Sequence, residues 1–250
     1  MKRILPTCAA VLALAAPARA DCPDMATVAR FARALLERGV PQPFILATPA
    51  DTRCAQDRLV AMRAQPGGEV EGVVLAAETL PPLRGALLHA ALRESSGATL
   101  EARFGAQPAV APGVLLRVNG EGRAVAVSPY LALLDLAALA GGTDASARIA
   151  GNLGLRLGVV GPEAPLPDAV PDGLLQVDGG TVAALPRLGL AAAPQALVDA
   201  LARDLLAEGR PLRGGELVAL LAAPAPMAPR PGETWRLSIE GVGAVVLNFR

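Results

Sequence analysis

The stretch LLQVDGGTVAAL, residues 174–185, is typical of two short strands joined by a tight turn. Its centre, Asp178-Gly179-Gly180, is a hairpin signal, because Asp and Gly tolerate the positive φ angles that such turns need. The closing stretch TWRLSIEGVGAVVLNFR, residues 234–250, shows apolar residues alternating on both sides of a Gly241–Gly243 turn. Alternation of this kind indicates strands buried on one face. The last third of the chain therefore predicts antiparallel hairpins.

Helical patterns surround these hairpins. PQALVDALARDLLAEG, ending at Gly209, places Leu197, Leu201, Ala202 and Leu205 on one apolar face. Asp24 is a predicted N-cap for a first helix that ends at Gly39. A second helix is predicted through TRCAQDRLVAMRAQ, residues 52–65. We also expect a short helix in SPYLALLDLAALAGG, residues 128–142.

The remaining segments predict a mixed sheet. EVEGVVLAAE, PGVLLRV and ELVALLAA are typical of buried strands, and ASARIAGNLGLRLGVVG indicates a helix or a helix-strand junction around Asn152. We find no sustained strand-helix-strand repeat and no glycine-rich dinucleotide fingerprint. The predicted fold class is therefore α+β, with a largely antiparallel sheet.

The N-terminus has the pattern of a cleaved export signal. Lys2 and Arg3 precede an apolar run, and Ala18-Arg19-Ala20 is a small-x-small cleavage site. We predict a signal peptide at 1–20, an N-terminal helical segment at 21–68 and an α+β core at 69–250. The expected location is periplasmic or secreted. No other apolar run is long enough to predict a membrane span.

Cysteine and charge content restrict the chemistry further. Cleavage leaves Cys22 and Cys54, which we expect to pair in an oxidising compartment, with metal binding as the weaker alternative. It also leaves 20 basic and 23 acidic residues, without the basic face that nucleic-acid binding needs. We therefore expect no nucleic-acid partner.

The absence of lysine after residue 20 excludes Schiff-base and phosphate-loop lysine chemistry. The single histidine, His89, lies in the helix-like segment LRGALLHAALRES and is interpreted as a structural or solvated residue. One histidine cannot form a multi-histidine metal site. The sequence contains no G-x-S-x-G motif, so a serine hydrolase of that type is not indicated.

The order of these pieces resembles the hydratase branch of the fumarylacetoacetate hydrolase superfamily, which includes 2-oxopent-4-enoate hydratases and 2-oxo-acid decarboxylases. The resemblance covers nearly all of the chain after residue 20. It is carried by the hairpin VDGGTVAAL, the helix before GRPLRGGELVAL, the loop PRPGETW and the closing hairpin IEGVGAVVLNF. AQDRLVA and IAGNLGLRLGVVGPEAPLP are similar to further family segments. The resemblance implies a β-roll with flanking helices.

The resemblance also implies an acidic cluster that holds Mg²⁺ or Mn²⁺ and stabilises an enolate. The family's paired acids fall here at Ala111 and Gly113, its lysine falls near Val74, and its third acid falls near a deletion at Gly141-Gly142. No metal ligand is predicted at these positions, and no cofactor is expected. Displaced catalytic candidates are Glu78, Glu121 and Asp135, although each is more simply interpreted as a turn or surface acid.

Two further residues match family positions. Asn152 and Arg156 are candidates for a ligand pocket, although the first interpretation of Asn152 is a helix-packing or backbone-bonding residue and that of Arg156 is a surface or ion-pair residue.

The preferred hypothesis is an exported hydratase-like pseudoenzyme with lost or reduced metal-dependent activity, which binds a small carboxylic or oxo acid or serves as a structural module. The alternatives are an active hydratase-type lyase with displaced ligands, which would need Mg²⁺ or Mn²⁺, and a protein-interaction module of the envelope. The sequence leaves the oligomeric state open.

Overall fold

The computed structural model describes residues 22–142, 144–168, 170–222 and 225–250. The predicted signal peptide lies outside these residues. The α-helices are α1 Met25–Leu36, α2 Pro49–Gly67, α3 Ala145–Ala150 and α4 Pro194–Ala207. The strands are β1 Val70–Ala76, β2 Leu83–Leu88, β3 Glu94–Ser95, β4 Ala98–Leu100, β5 Pro108–Val118, β6 Ala124–Asp135, β7 Leu155–Val160, β8 Ala164–Pro165, β9 Gly173–Val177, β10 Gly180–Leu185, β11 Leu217–Leu221, β12 Thr234–Ile239 and β13 Gly243–Phe249.

The strands form two sheets. The larger follows the order β2-β1-β11-β5-β6-β7-β3, with β8 paired to β6, and the smaller follows β10-β9-β12-β13-β4. Most neighbours are antiparallel, whereas β1 with β11, β3 with β7, and β4 with β13 pair in parallel. The predicted α+β class with largely antiparallel sheets and flanking helices is confirmed.

One apolar core joins both sheets and α4. From α4 it takes Leu197, Leu201 and Leu205, and from the smaller sheet it takes Trp235, whose ring meets Phe249 edge-on at a centroid distance of 6.4 Å. Edge-on aromatic pairs add stabilisation beyond the area they bury. The apolar face predicted for this helix is thus the face that packs against the core.

The hairpins at the end of the chain are confirmed. β9 and β10 are antiparallel, and the turn between them has positive φ angles of 49° at Asp178 and 79° at Gly179. β12 and β13 pair in register from Thr234 to Ile239. Turn chemistry and alternation were therefore sufficient to predict this part of the fold.

The helix expected at residues 128–142 is wrong. This segment supplies most of β6, which pairs with β5 on one side and β7 on the other. Residues 127–135 are all buried, so both faces of the strand are covered. The helix propensity of Leu and Ala is outweighed by these two ladders and by burial on both faces. A 3₁₀ turn at Leu136–Leu139 is the helical part.

The helix-like interpretation around His89 is also wrong. Residues 83–88 form β2, and a 3₁₀ turn follows at His89–Ala91. The ring of His89 is more than half exposed, and its Nδ1 lies 3.2 Å from Oε1 of Glu71. Pairing with β1 determines the conformation of the segment.

The two N-terminal helices begin at side-chain caps. Asp24 accepts a hydrogen bond from the Thr27 N–H at 2.7 Å, and Thr48 forms a capping box with Asp51 at the start of α2. A disulfide joins Cys22 to Cys54 across a Cα–Cα distance of 5.6 Å. The predicted pairing is confirmed. Among the described helices, none is long and apolar enough to cross a membrane.

Candidate functional site

A cavity of about 620 Å³ lies beside the ends of three strands of the larger sheet. β5, β6 and β11 contribute Ala111, Leu134 and Leu221, and neighbouring segments contribute Leu136, Leu139 and Leu153. A volume of this size lies within the range of small-molecule sites. We define this space as the main cavity.

One ion pair stands at the apolar wall of the main cavity. Arg148, on α3, donates from Nη2 to Oε1 of Glu78 at 2.6 Å, and their side chains are 26% and 30% exposed. Gln107 supplies a further polar group. Glu78 and Arg148 are the charged residues among the described residues that line this cavity. The wall thus offers one cation, already paired, and a large apolar surface.

The position predicted for the first missing acid does face the main cavity. Ala111 is buried in β5 and contributes a methyl group to the wall. Gly113, two residues later, lies where β5 approaches β11 closely, and a Cβ there would collide with the backbone carbonyl of Leu220. A carboxylate side chain could therefore be added at Gly113 only if the strands moved apart.

The position that the resemblance assigns to the family's lysine also carries no reactive side chain. Val74 lies in β1, is fully buried, and packs in an apolar cluster with Leu153. Within the described part of the chain, no group of three or more His, Cys, Asp or Glu residues could hold a metal ion. The residues of the main cavity therefore do not fit a Mg²⁺ or Mn²⁺ site, because these ions need several oxygen ligands.

Asp135 lines a different cavity and serves the backbone. Its carboxylate accepts hydrogen bonds from the N–H groups of Ala106 at 3.1 Å, Gln107 at 2.9 Å and Ala137 at 3.2 Å. Nη1 of Arg156 lies 3.8 Å from its Oδ2. The side chain is 3% exposed, so its oxygens are committed to this network.

The other candidates do not converge with Glu78. Glu121 is exposed in the turn between β5 and β6, where its N–H donates to Asn119. Asn152 is buried and pairs its amide with the backbone of Ala86, accepting at 2.6 Å and donating at 2.9 Å. Arg156 lines the same cavity as Asp135. The three candidate acids are thus at three separate places.

Comparison with solved structures identifies the fold. 4-Oxalocrotonate decarboxylase from Pseudomonas putida G7, complexed with magnesium and adipate, superposes with a TM-score of 0.79 at 15% identity, covering 90% of this chain and 97% of that chain. The chain has the fumarylacetoacetate hydrolase fold. A fumarylacetoacetate hydrolase family protein from Yersinia pestis CO92 gives a TM-score of 0.53 at 13% identity over 72% of this chain and 92% of that one.

The family resemblance is thus confirmed for the fold. The same decarboxylase complexed with calcium and acetate gives a TM-score of 0.76, again at 15% identity, over 90% of this chain and 96% of that chain. No protein-family model matches the sequence, and a search of the curated proteins finds no match.

Sequence reasoning missed Arg148 and Gln107. Arg148 lies in ASARIA, which reads as an ordinary short surface helix, and Gln107 precedes a buried strand. Arg148 meets Glu78 across 70 residues of sequence, so only the tertiary fold brings them together. The main cavity is assembled from segments too far apart for any local motif to reveal it.

Proposed function

We propose that this protein is an exported, metal-independent binder of a small, largely apolar carboxylic or oxo acid. The observation that carries the proposal is the main cavity, which lies at Ala111, where the resemblance places a metal ligand, but is walled by aliphatic groups. Arg148 is the residue there that can bind an acid directly, because a guanidinium matches a carboxylate in geometry and charge. No reaction step is assigned to the cavity.

The ion pair with Glu78 sets how strongly Arg148 can hold such an acid. The described hydrogen bonds of Arg148 use one of its guanidinium nitrogens, while the guanidinium carries five N–H donors. A ligand carboxylate would share this cation with Glu78 and be repelled by it, while its carbon chain contacts Leu134, Leu139 and Leu221. The affinity for the acid then depends on the balance between its attraction to Arg148 and its repulsion by Glu78.

Substitutions at the two members of the pair should change affinity in opposite directions. Arg148→Gln should weaken binding of hexanoate, used as the probe, by about tenfold or more, because a charge-assisted hydrogen bond is lost. Glu78→Gln should strengthen it by about fivefold, because a competing negative charge is removed. Isothermal titration calorimetry on each variant measures both changes.

A surface ion pair provides the matched control. Arg117 and Glu163 lie 2.6 Å apart, are about half exposed, and do not line the main cavity. Arg117→Gln and Glu163→Gln should leave hexanoate affinity unchanged. Weaker hexanoate binding in both Glu78→Gln and Arg148→Gln would contradict the proposal. It would mean that binding needs the intact ion pair, and that Glu78 does not compete with the ligand for Arg148.

The metal-dependent alternative has its own test. The superposed decarboxylase structure holds magnesium and adipate, so adipate should be titrated with Mg²⁺ and again with EDTA. We expect equal affinity in both conditions, because the described lining residues supply a single carboxylate, Glu78. Binding of one Mg²⁺ or Mn²⁺ per chain, with adipate affinity lost in EDTA, would favour an active lyase with displaced ligands.

Export is proposed on separate grounds. The Cys22–Cys54 bond supports it, because structural disulfides persist mainly in oxidising compartments. The basic, apolar and small-x-small order of residues 1–20 supports it as well. N-terminal sequencing of protein recovered from outside the cytoplasm should begin at Asp21, whereas an intact Met1 end would refute it.

A further inference from the structure

A second, smaller cavity of about 210 Å³ lies where α1 and α2 end near the start of β7. We define this space as the arginine cavity, because it is lined by Arg63, Arg93 and Arg156. A compact ligand would fit.

Charge in the arginine cavity is unbalanced. Among the described residues that line it, three guanidinium groups face one carboxylate, that of Asp135. Both oxygens of Asp135 already accept backbone hydrogen bonds, and its distance of 3.8 Å from Arg156 is too long for a hydrogen bond. The positive charge is therefore only partly neutralised.

Arg63 and Arg156 also repel each other. Burial, together with the charge of Arg156, lowers the pKa of Arg63 to about 10. Burial likewise lowers the pKa of Arg156, an effect opposed by Asp135 and reinforced by Arg38. An anion between the guanidiniums would relieve this repulsion, because each buried charge is costly without a partner.

Donors remain for such an anion. Arg63 donates from Nη2 to the carbonyl of Leu155 at 2.8 Å, and Arg156 donates from Nη1 to the carbonyl of Leu35 at 2.6 Å. These bonds fix the orientation of both groups while using one of five N–H donors in each. Arg93 is exposed and makes no side-chain hydrogen bond or ion pair within the described part of the chain. It is thus free to close over a ligand.

We propose that the arginine cavity binds a small oxyanion, a carboxylate or a phosphate, between Arg63, Arg93 and Arg156. Planar guanidinium groups suit both chemistries, because their paired N–H donors match two oxygens of either group. Apolar side chains of Leu88 and Leu157 lie in the same wall, so a short carbon chain can accompany a carboxylate.

This site is independent of the proposed function. The residues that line the arginine cavity and those that line the main cavity do not overlap. Arg148→Gln should therefore leave oxyanion binding in the arginine cavity intact. A loss of hexanoate binding in the main cavity would say nothing about the second site.

The decisive experiment is a calorimetric titration of the protein with inorganic phosphate and, separately, with succinate. Arg93→Gln should weaken the binding of the tighter probe by about tenfold without lowering the unfolding temperature, because the replaced side chain is exposed and unbonded. Arg210→Gln, which removes the same charge from an exposed residue outside both cavities, should bind as the unsubstituted protein does.

Two outcomes would overturn the proposal. One is the lack of saturable binding of either probe up to about 10 mM, a concentration above which specific recognition has little free energy. The other is equal affinity in Arg93→Gln and Arg210→Gln. Where Arg93→Gln weakens binding, phosphate binding more tightly than succinate would identify a phosphate site, and the reverse order would identify a carboxylate site; both support the inference.

Discussion

Replacing Asp135 by alanine is expected to lower the free energy of unfolding by about 3–5 kcal/mol, the range typical of breaking a buried charge pair. The carboxylate is 3% exposed and accepts bonds from the N–H groups of Ala106, Gln107 and Ala137. An alanine would leave these donors without their acceptor, at about 1–3 kcal/mol for each that water cannot reach. Arg156 would also lose the nearest negative charge.

The position of Asp135 explains why its replacement would destabilise more than one element of the fold. It ends β6, caps the 3₁₀ turn at Leu136–Leu139, and fastens the segment that leads into β5. Gly105 packs directly against it, since a Cβ at that glycine would overlap the carboxyl group. One side chain therefore fixes the ends of two central strands beside both cavities.

Thermal and urea unfolding of Asp135→Ala provide the measurement. The midpoint temperature should fall by about 10 °C, since 1 kcal/mol corresponds to roughly 2–4 °C for a chain of this size. Asp144→Ala is the control, because Asp144 also caps a helix through one backbone bond, to the Ala147 N–H at 3.0 Å, but is exposed. Its loss should cost about 1 kcal/mol. Equal losses in the two variants would refute the structural role of Asp135.

Sequence patterns predicted those elements whose conformation is decided locally. The hairpin at Asp178-Gly179 follows from turn chemistry, and α1 follows from the cap at Asp24 and the helical spacing of Val28, Phe31 and Leu35. β6 could not be predicted in this way, because Leu and Ala favour a helix unless ladders form on both sides. Those ladders come from β5 and β7, which local periodicity does not reveal.

The sequence predicted where the candidate site lies better than it predicted which side chains meet there. The resemblance aligns Ala111 with a metal ligand of the family, and the structure places Ala111 in the wall of the main cavity. The pairing of Glu78 with Arg148 and the meeting of Arg63 with Arg156 depend on side chains far apart in sequence. A carboxylate such as Asp135 looks the same in sequence whether it binds a ligand or the backbone, so its role follows only from its three N–H donors.

Removing the disulfide should cost about 3–4 kcal/mol, because the bond between Cys22 and Cys54, 32 positions apart, restricts the unfolded chain. The bond joins the region preceding α1 to the second turn of α2, and so holds together the two helices whose C-terminal ends border the arginine cavity. We expect the unfolding midpoint of Cys22→Ser/Cys54→Ser, made in the protein that begins at Asp21, to fall by about 10 °C.

A reducing agent distinguishes the effect of losing the disulfide from the effect of the serine substitutions themselves. Dithiothreitol should lower the midpoint of the protein with both cysteines to that of the double-serine variant and leave the midpoint of that variant unchanged. If loop entropy of the unfolded chain is the source, α1 and α2 should still be formed in the native state of the double-serine variant. An oxidised protein no more stable than the double-serine variant would show that packing of Val28, Phe31 and Leu59 holds the helices together without the bond.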